Sequence, residues 1–134
     1  MTLETIKHYG IALAVFLAID AVWLLVIAKK LYSKYLGFLM ANNPNLLAAL
    51  VFYLIFVAGM LYFVIAPALE KEQWQYALYS GMFFGFVTYA TYDLTNLATL
   101  KNWPMVITLI DLAWGSFVTG ATCVLSYFII NKVL

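Results

Sequence analysis

The chain has 134 residues, of which 66% are hydrophobic and only 10% are charged. A soluble domain carries about 25% charged residues, so the composition excludes an ordinary soluble fold and predicts a chain whose apolar exterior is solvated by lipid. A net charge of +1 with no arginine offers no basic surface for nucleic acid, and the single cysteine, Cys123, excludes an internal disulfide. The length predicts one domain over residues 1–134.

Four apolar stretches are each long enough to cross a bilayer as a helix, which takes about 20 residues. They run over residues 9–28, 46–69, 74–100 and 104–130. The connections at 70–73 and 101–103 are short, so the last three helices are expected to be antiparallel neighbours. The sequence therefore predicts an all-α integral membrane bundle of four transmembrane helices.

The first connection, residues 29–45, is longer and patterned. Its apolar residues fall on one helical face, with lysines mostly opposite, which predicts a short helix in the membrane interface after the first span. Asn42, Asn43, Pro44 and Asn45 are expected to end this helix and begin the second span, with Asn side chains available to cap free N–H groups.

The lysines indicate an orientation, because cytoplasmic loops carry an excess of basic residues. The side of the membrane that holds the first and third connections carries Lys29, Lys30, Lys34 and Lys101, and the other side carries Lys7, Lys71 and Lys132. This small difference predicts that both termini face away from the cytoplasm.

Small residues recur at four-residue spacing on the third and fourth helices. Such stripes let helix backbones approach closely in lipid, and packing within one chain is the preferred interpretation, with a homodimer as the alternative. The residues are Ala77, Gly81, Gly85, Gly115, Ser116 and Gly120.

Three aspartates lie inside the apolar stretches: Asp20, Asp93 and Asp111. Each costs about 2.5–3.5 kcal/mol at a helix centre. At about 1.5 Å per residue, each lies about 10–12 Å from the membrane face that holds the first and third connections. We therefore expect the three carboxyl groups to gather at one depth, where they must be paired, protonated, metal-bound or open to water.

Other polar and aromatic groups accompany these acids. Asn96, Tyr89 and Tyr92 lie near Asp93 on the third helix, and a tryptophan follows each of the other two acids by three positions, so that the two share a helical face. The predicted site for a proton, cation or small molecule consists of Asp20, Asp93, Asp111, Asn96, Tyr89 and Tyr92, with Trp23 and Trp114 as aromatic walls.

The protonation state of the site follows from its lack of a basic residue at the same depth. Three carboxylates cannot all stay ionised in a dry site, so at least one is expected to be protonated at neutral pH unless a metal ion is bound. Asp93 and Asp111 would be the ligands of such a metal. The sequence implies no cofactor.

The segment Thr91–Leu100, then Trp103 and Pro104, then Asp111–Gly115, together with Asp20 and Trp23, resembles the bacterial membrane-protein family catalogued as domain-of-unknown-function family 2177. The resemblance spans essentially the whole chain. It implies a small multi-pass protein of four helices in the bacterial inner membrane, and it implies no reaction.

Three functional hypotheses remain open. The first is an acid-lined intramembrane pocket that binds or moves a proton, a cation or a small molecule. The second is a structural or accessory membrane subunit without such activity. The third, an intramembrane aspartyl hydrolase, is disfavoured because Asp111 follows Thr108, Leu109 and Ile110 and lacks the Gly-x-Gly-Asp sequence of those proteases, so the sequence favours a role other than catalysis.

Overall fold

A computed structural model describes residues 2–133 of the chain, which form four long helices and no strand. The all-α prediction is confirmed. The helices are α1 (Leu3–Leu39), α2 (Leu46–Lys71), α3 (Trp74–Thr99) and α4 (Met105–Val133).

Three of these helices, α1, α2 and α4, are long and apolar enough to cross a membrane. Helix α3 has 26 residues, about 39 Å at 1.5 Å per residue, so its length also suffices. Its carboxyl-terminal half is richer in polar residues, including Thr91, Asp93, Thr95 and Asn96, and it does not reach the same hydropathy.

Helix α1 is longer than the predicted first span. Its α-helical part, Leu3–Val22, continues through a π-helical segment, Trp23–Ala28, and then through Lys29–Leu36 in α-helical geometry. The predicted helix end near Ala28 and the separate interfacial helix therefore differ from the observed continuous helix. The physical reason is that no glycine or proline lies between Ala28 and Gly37, so the backbone hydrogen bonds continue past the lysines.

The helix ends follow local capping chemistry. The Asn45 side chain accepts a hydrogen bond of 3.1 Å from the backbone N–H of Ala48, which confirms the predicted cap of the second helix. At the other end of α2, the N–H group of Glu72 donates to the carbonyl of Leu69 and that of Gln73 donates to the carbonyl of Ala68. This pair of hydrogen bonds is the Schellman motif. Glu72 occupies the left-handed region with φ 55°.

Helices α3 and α4 form the most extensive helix pair of the fold. Gly81 and Gly85 on α3 are buried against α4. A Cβ atom on Gly85 would overlap the carbonyl oxygen of Gly115 and the side chain of Thr119, so the two backbones pass in direct contact. Ala77, Gly115 and Gly120 are also buried, whereas the Ser116 hydroxyl donates within its own helix to the Leu112 carbonyl at 3.0 Å.

Helices α1 and α2 complete the bundle on one side of this pair. Phe16 of α1 packs edge-on against Phe56 and Tyr53 of α2, and Phe56 also stacks on Phe84 of α3. The carboxyl-terminal half of α2 joins the core, while its amino-terminal half contacts α1 and makes little contact with α3. Helix α2 therefore separates from α3 towards the end of the bundle where α2 begins.

The left-handed conformation of Glu72 generates a prediction about stability. The left-handed conformation destabilises an L-residue with a Cβ atom by about 1–2 kcal/mol but does not destabilise glycine. Glu72→Gly should therefore raise the free energy of unfolding by about 1 kcal/mol. The measurement is thermal unfolding in detergent. Glu72→Ala removes the same carboxylate but keeps the Cβ atom, and an equal gain in that control would contradict the backbone explanation.

The α3–α4 contact generates a second prediction. Gly85→Ala forces a Cβ atom into the Gly115 backbone and should destabilise the fold by about 1–3 kcal/mol. Gly10→Ala is the matched control, because nothing lies within 4 Å of its Cβ position, and it should stabilise α1 by about 0.5–1 kcal/mol. Equal unfolding temperatures for the two variants in detergent would show that the helices can separate without cost.

Candidate functional site

The three aspartates are buried in one region of the bundle. Asp20 on α1 is 5% exposed, Asp93 on α3 is fully buried and Asp111 on α4 is 6% exposed. The close approach of α3 and α4 makes the carboxyl groups of Asp93 and Asp111 neighbours. Three helices thus each bring one acid to a common place.

Two of the acids accept hydrogen bonds from tyrosines. The Tyr53 hydroxyl of α2 donates to Oδ2 of Asp20 at 2.8 Å, and the Tyr32 hydroxyl of α1 donates to Oδ1 of Asp111. Each bond joins two helices, α1 with α2 and α1 with α4, so these tyrosines hold both the carboxyl groups and the helices in position.

Asp93 differs from the other two acids. Both of its carboxyl oxygens are buried, and neither has a hydrogen-bond partner among residues 2–133. A buried polar group without a partner is costly, and a buried carboxylate is costlier still. The neighbouring carboxyl group of Asp111 can share a proton with Asp93, and a bound ligand or water is another explanation for such a group.

All three acids line a single cavity of about 380 Å³, called here the acid cavity. Ligand cavities in proteins commonly measure roughly 300–1,000 Å³. Its wall is acidic and aromatic, and no lysine or histidine contributes to it. The lining residues are Asp20, Trp23, Leu24, Tyr32, Ala49, Phe52, Tyr53, Thr88, Tyr89, Tyr92, Asp93, Asp111 and Trp114.

The two tryptophans form one wall of the acid cavity. Trp23 of α1 and Trp114 of α4 stack face to face, with ring centroids 4.3 Å apart and an angle of 10° between the planes. The repeated Asp-x-x-Trp spacing explains this contact, since each indole shares a helical face with its own acid and the two helices pack together. The Trp114 indole N–H is buried and has no hydrogen-bond partner within residues 2–133.

The π-helical segment of α1 passes directly beside the cavity. It begins at Trp23, three residues after Asp20, and ends at Ala28, four residues before Tyr32. A π-helical turn holds more residues than an α-helical turn and therefore changes the rotation of everything beyond it. Asp20 and Tyr32, which lie on opposite sides of the segment in sequence, consequently both line the same cavity.

The structure brings most of the sequence-predicted site residues together. Asn96 is the exception, because it lies half-buried one helical turn beyond Asp93 and does not line the acid cavity. The residues that do line it are Asp20, Asp93, Asp111, Tyr89, Tyr92, Trp23 and Trp114.

Sequence reasoning missed the two tyrosines that bond the acids. Tyr53 lies in an apolar stretch of the sequence. A buried tyrosine hydroxyl needs a hydrogen-bond partner, so the position of Tyr53 was the sequence feature that could have predicted its contact with an acid. Tyr32 was assigned to the interfacial connection, since the π-helical segment and the continued helix were not visible in the pattern. Thr88 also lines the cavity, but its hydroxyl donates to the Phe84 carbonyl of its own helix at 2.8 Å.

The metal alternative was limited to Asp93 and Asp111. Within residues 2–133, no group of three or more histidine, cysteine, aspartate or glutamate side chains is arranged to hold a metal ion. Two neighbouring carboxyl groups alone fall short of the six to eight oxygen ligands that calcium takes. The described side chains therefore do not form a complete metal site of their own.

Comparison with known proteins identifies a family and no characterised relative. The family model described as "Predicted membrane protein (DUF2177)" matches residues 5–128, which include every residue that lines the acid cavity. No curated protein and no solved structure matches the chain. The match covers nearly the whole sequence, and the chain belongs to this family of predicted membrane proteins.

Proposed function

We propose that the acid cavity binds a small organic cation that carries an ammonium group, and that it does so inside the membrane. The observation that carries this proposal is Asp93, which is fully buried with both carboxyl oxygens unpartnered and which faces a cavity that no basic residue lines. A cationic ligand would supply the missing partner, because a buried charge is tolerated when it is paired.

The chemistry of the wall supports an organic cation rather than a hydrated inorganic one. The stacked indoles of Trp23 and Trp114 and the rings of Tyr89 and Tyr92 line the same cavity as the carboxyl groups. Aromatic faces attract cations, and aromatic cages are a recurrent way to bind quaternary ammonium groups. Carboxylates supply charge while the rings supply a dry, polarisable surface for the substituents on nitrogen.

Proton exchange follows from the same arrangement. Without a ligand, three carboxyl groups in one cavity with no basic residue cannot all carry charge. A cation that enters the cavity favours the ionised form and so displaces at least one proton. We therefore expect cation binding to weaken as the pH falls, and the cavity is suited to a cation–proton exchange of the kind that a transporter needs.

The cavity requires a membrane arrangement in which all four helices cross the bilayer. Helix α3 is long enough, packs along α4 and is joined to α2 and α4 by short connections, which supports a fourth span. Of the polar residues in its carboxyl-terminal half, Asp93 is buried inside the bundle, and the hydroxyls of Thr91 and Thr99 donate to carbonyls of their own helix, which lets them lie in lipid. From the family resemblance we infer a bacterial inner-membrane protein, and from the lysine distribution we infer that both termini lie outside the cytoplasm.

The first prediction of this proposal concerns Asp93→Asn. The change removes the negative charge at constant size, so it should abolish the binding of tetramethylammonium and the proton release that accompanies it, both measured by titration calorimetry and a pH indicator on detergent-solubilised protein. Glu70→Gln, which neutralises an exposed acid, is the matched control and should bind like the wild type.

The same variant separates the binding function from a structural or accessory role. If the acids only hold the helices together, Asp93→Asn should lower the unfolding temperature and leave any ammonium binding unaltered. If Asp93 is held for a ligand, the unfolding temperature should stay equal or rise, since a buried unpaired acid is itself a cost. Unimpaired tetramethylammonium binding by folded Asp93→Asn protein would overturn the proposal.

The second prediction tests the four-span arrangement. With Cys123 replaced by serine, cysteines at positions 72 and 102 should react with an impermeant maleimide from opposite sides of oriented membrane vesicles, because α3 separates the two turns. Position 102 should be reached from the cytoplasmic side. Labelling of both cysteines from one side would exclude a membrane-crossing α3.

A further inference from the structure

The acid cavity is not closed towards the membrane. Its lining residues Phe52 and Tyr92 are 44% and 60% exposed, and they belong to helices α2 and α3. The amino-terminal half of α2 makes little contact with α3. The gap between the two helices is therefore a lateral opening at the level of the acids.

A row of aromatic rings leads away from this opening along the α2–α3 groove. Phe52 stacks on Phe56 with centroids 5.5 Å apart, Phe56 stacks on Phe84 at 5.7 Å, and Phe84 stacks on Phe63 at 6.1 Å. The planes differ by 13°, 15° and 29°, so the rings form a nearly continuous ribbon, in which Phe56 is buried and the end rings Phe52 and Phe63 are exposed to the membrane. Phe52 belongs to the acid cavity, which makes the ribbon a continuation of its wall.

The ribbon ends at a second cavity of about 490 Å³ between α2 and α3. Phe63 and Phe84 line it, together with Ser80, Phe83 and Val87. Its wall contains no charged residue. The two cavities thus differ in charge, acidic at one end and uncharged at the other, where Tyr76, Tyr79 and Ser80 also line the wall. They lie about 16 Å apart, measured as the rise along α2 from Phe52 to Phe63.

We propose that the ligand of the acid cavity is a single-chain cationic amphiphile, whose ammonium group lies among Asp20, Asp93 and Asp111 and whose hydrocarbon chain runs along the membrane-facing edge of the aromatic ribbon to the second cavity. This inference rests on the proposed function and adds the substrate class. Charge complementarity places the head, because the opposite end of the groove offers no charge to pair. The lateral opening lets the molecule enter from the bilayer, where amphiphiles concentrate.

Neutral lipid is the alternative occupant of the groove. A neutral lipid and a cationic amphiphile differ in the charge of the headgroup, and this charge determines which of them the groove favours. An uncharged chain gains little by leaving the bilayer for an apolar groove, since lipid is equally apolar. A cationic chain gains the carboxyl groups and the aromatic cage in addition. The cationic amphiphile is therefore favoured over neutral lipid, because one molecule can place its charge in the acid cavity and its chain in the second cavity.

The experiment compares tetramethylammonium with butyl-, octyl- and dodecyl-trimethylammonium on the full chain in detergent. Affinity, referred to the free aqueous concentration of each probe, should rise with chain length, by up to about fourfold per methylene group, and level off when the chain fills the second cavity. Ser80→Phe, which narrows that cavity, should remove the gain for the dodecyl probe and leave tetramethylammonium binding unchanged. Leu125→Phe, on the exposed face of α4, is the matched control.

The outcomes separate this inference from the proposed function. If tetramethylammonium binds but chain length and Ser80→Phe have no effect, the amphiphile is excluded and the cation site stands. If no ammonium probe binds at all, both fail. If dodecanol displaces the dodecyl probe fully, or if Asp93→Asn still binds that probe at full affinity, the groove holds hydrocarbon without regard to charge and the inference is overturned.

A second groove variant guards against misfolding of the first. Val87→Phe also narrows the second cavity and lies at its exposed edge, so it should reproduce the effect of Ser80→Phe on the dodecyl probe. Wild-type dodecyl affinity in a folded Val87→Phe protein would count against the amphiphile as strongly as the same result in Ser80→Phe.

Discussion

The direct backbone contact between α3 and α4 is the constraint on which the site depends. Gly85 lies against the Gly115 carbonyl with no room for a Cβ atom, and this approach brings Asp93 and Asp111 side by side at the cavity. In lipid, helices associate through close packing rather than through the hydrophobic effect. Glycines at these positions therefore set both the strength of the bundle and the geometry of its acids.

The three acids differ in the hydrogen bonds that their carboxyl groups accept. Asp20 accepts a hydrogen bond from Tyr53, and Asp111 accepts one from Tyr32. Each bond joins two helices, so these two carboxyl groups stabilise the bundle. Asp93 is as deeply buried and has no such bond. Asp93 lies beside the carboxyl group of Asp111, with which it can share a proton, and a cation that takes the place of this proton is the proposed ligand.

Helix α1 shows how backbone geometry can create a site from distant parts of one helix. The π-helical segment turns Tyr32 towards the same cavity as Asp20 and Trp23. Such segments are frequent at functional sites, because a single local change in winding reorients a whole stretch of side chains. The stacked Trp23 and Trp114 then fix the position of α1 against α4 beside the acids.

The amino-acid sequence by itself determined that the chain is helical and apolar, that it belongs to a lipid environment, and that three acids occur at related positions along the helices. Periodicity and composition suffice for these features, since they depend on local patterns and on spacing. The cap at Asn45 and the Asp-x-x-Trp spacing are local in the same sense.

Only the tertiary structure decided which side chains meet. The extension of α1 beyond Ala28 arises from continued backbone hydrogen bonding across a lysine pair that looked like a helix end. The bonds from Tyr53 to Asp20 and from Tyr32 to Asp111 join residues 33 and 79 positions apart, and the placement of Asn96 outside the cavity depends on the rotation of α3. Contacts of this kind depend on how helices rotate and pack against one another, which no pattern within a single helix encodes.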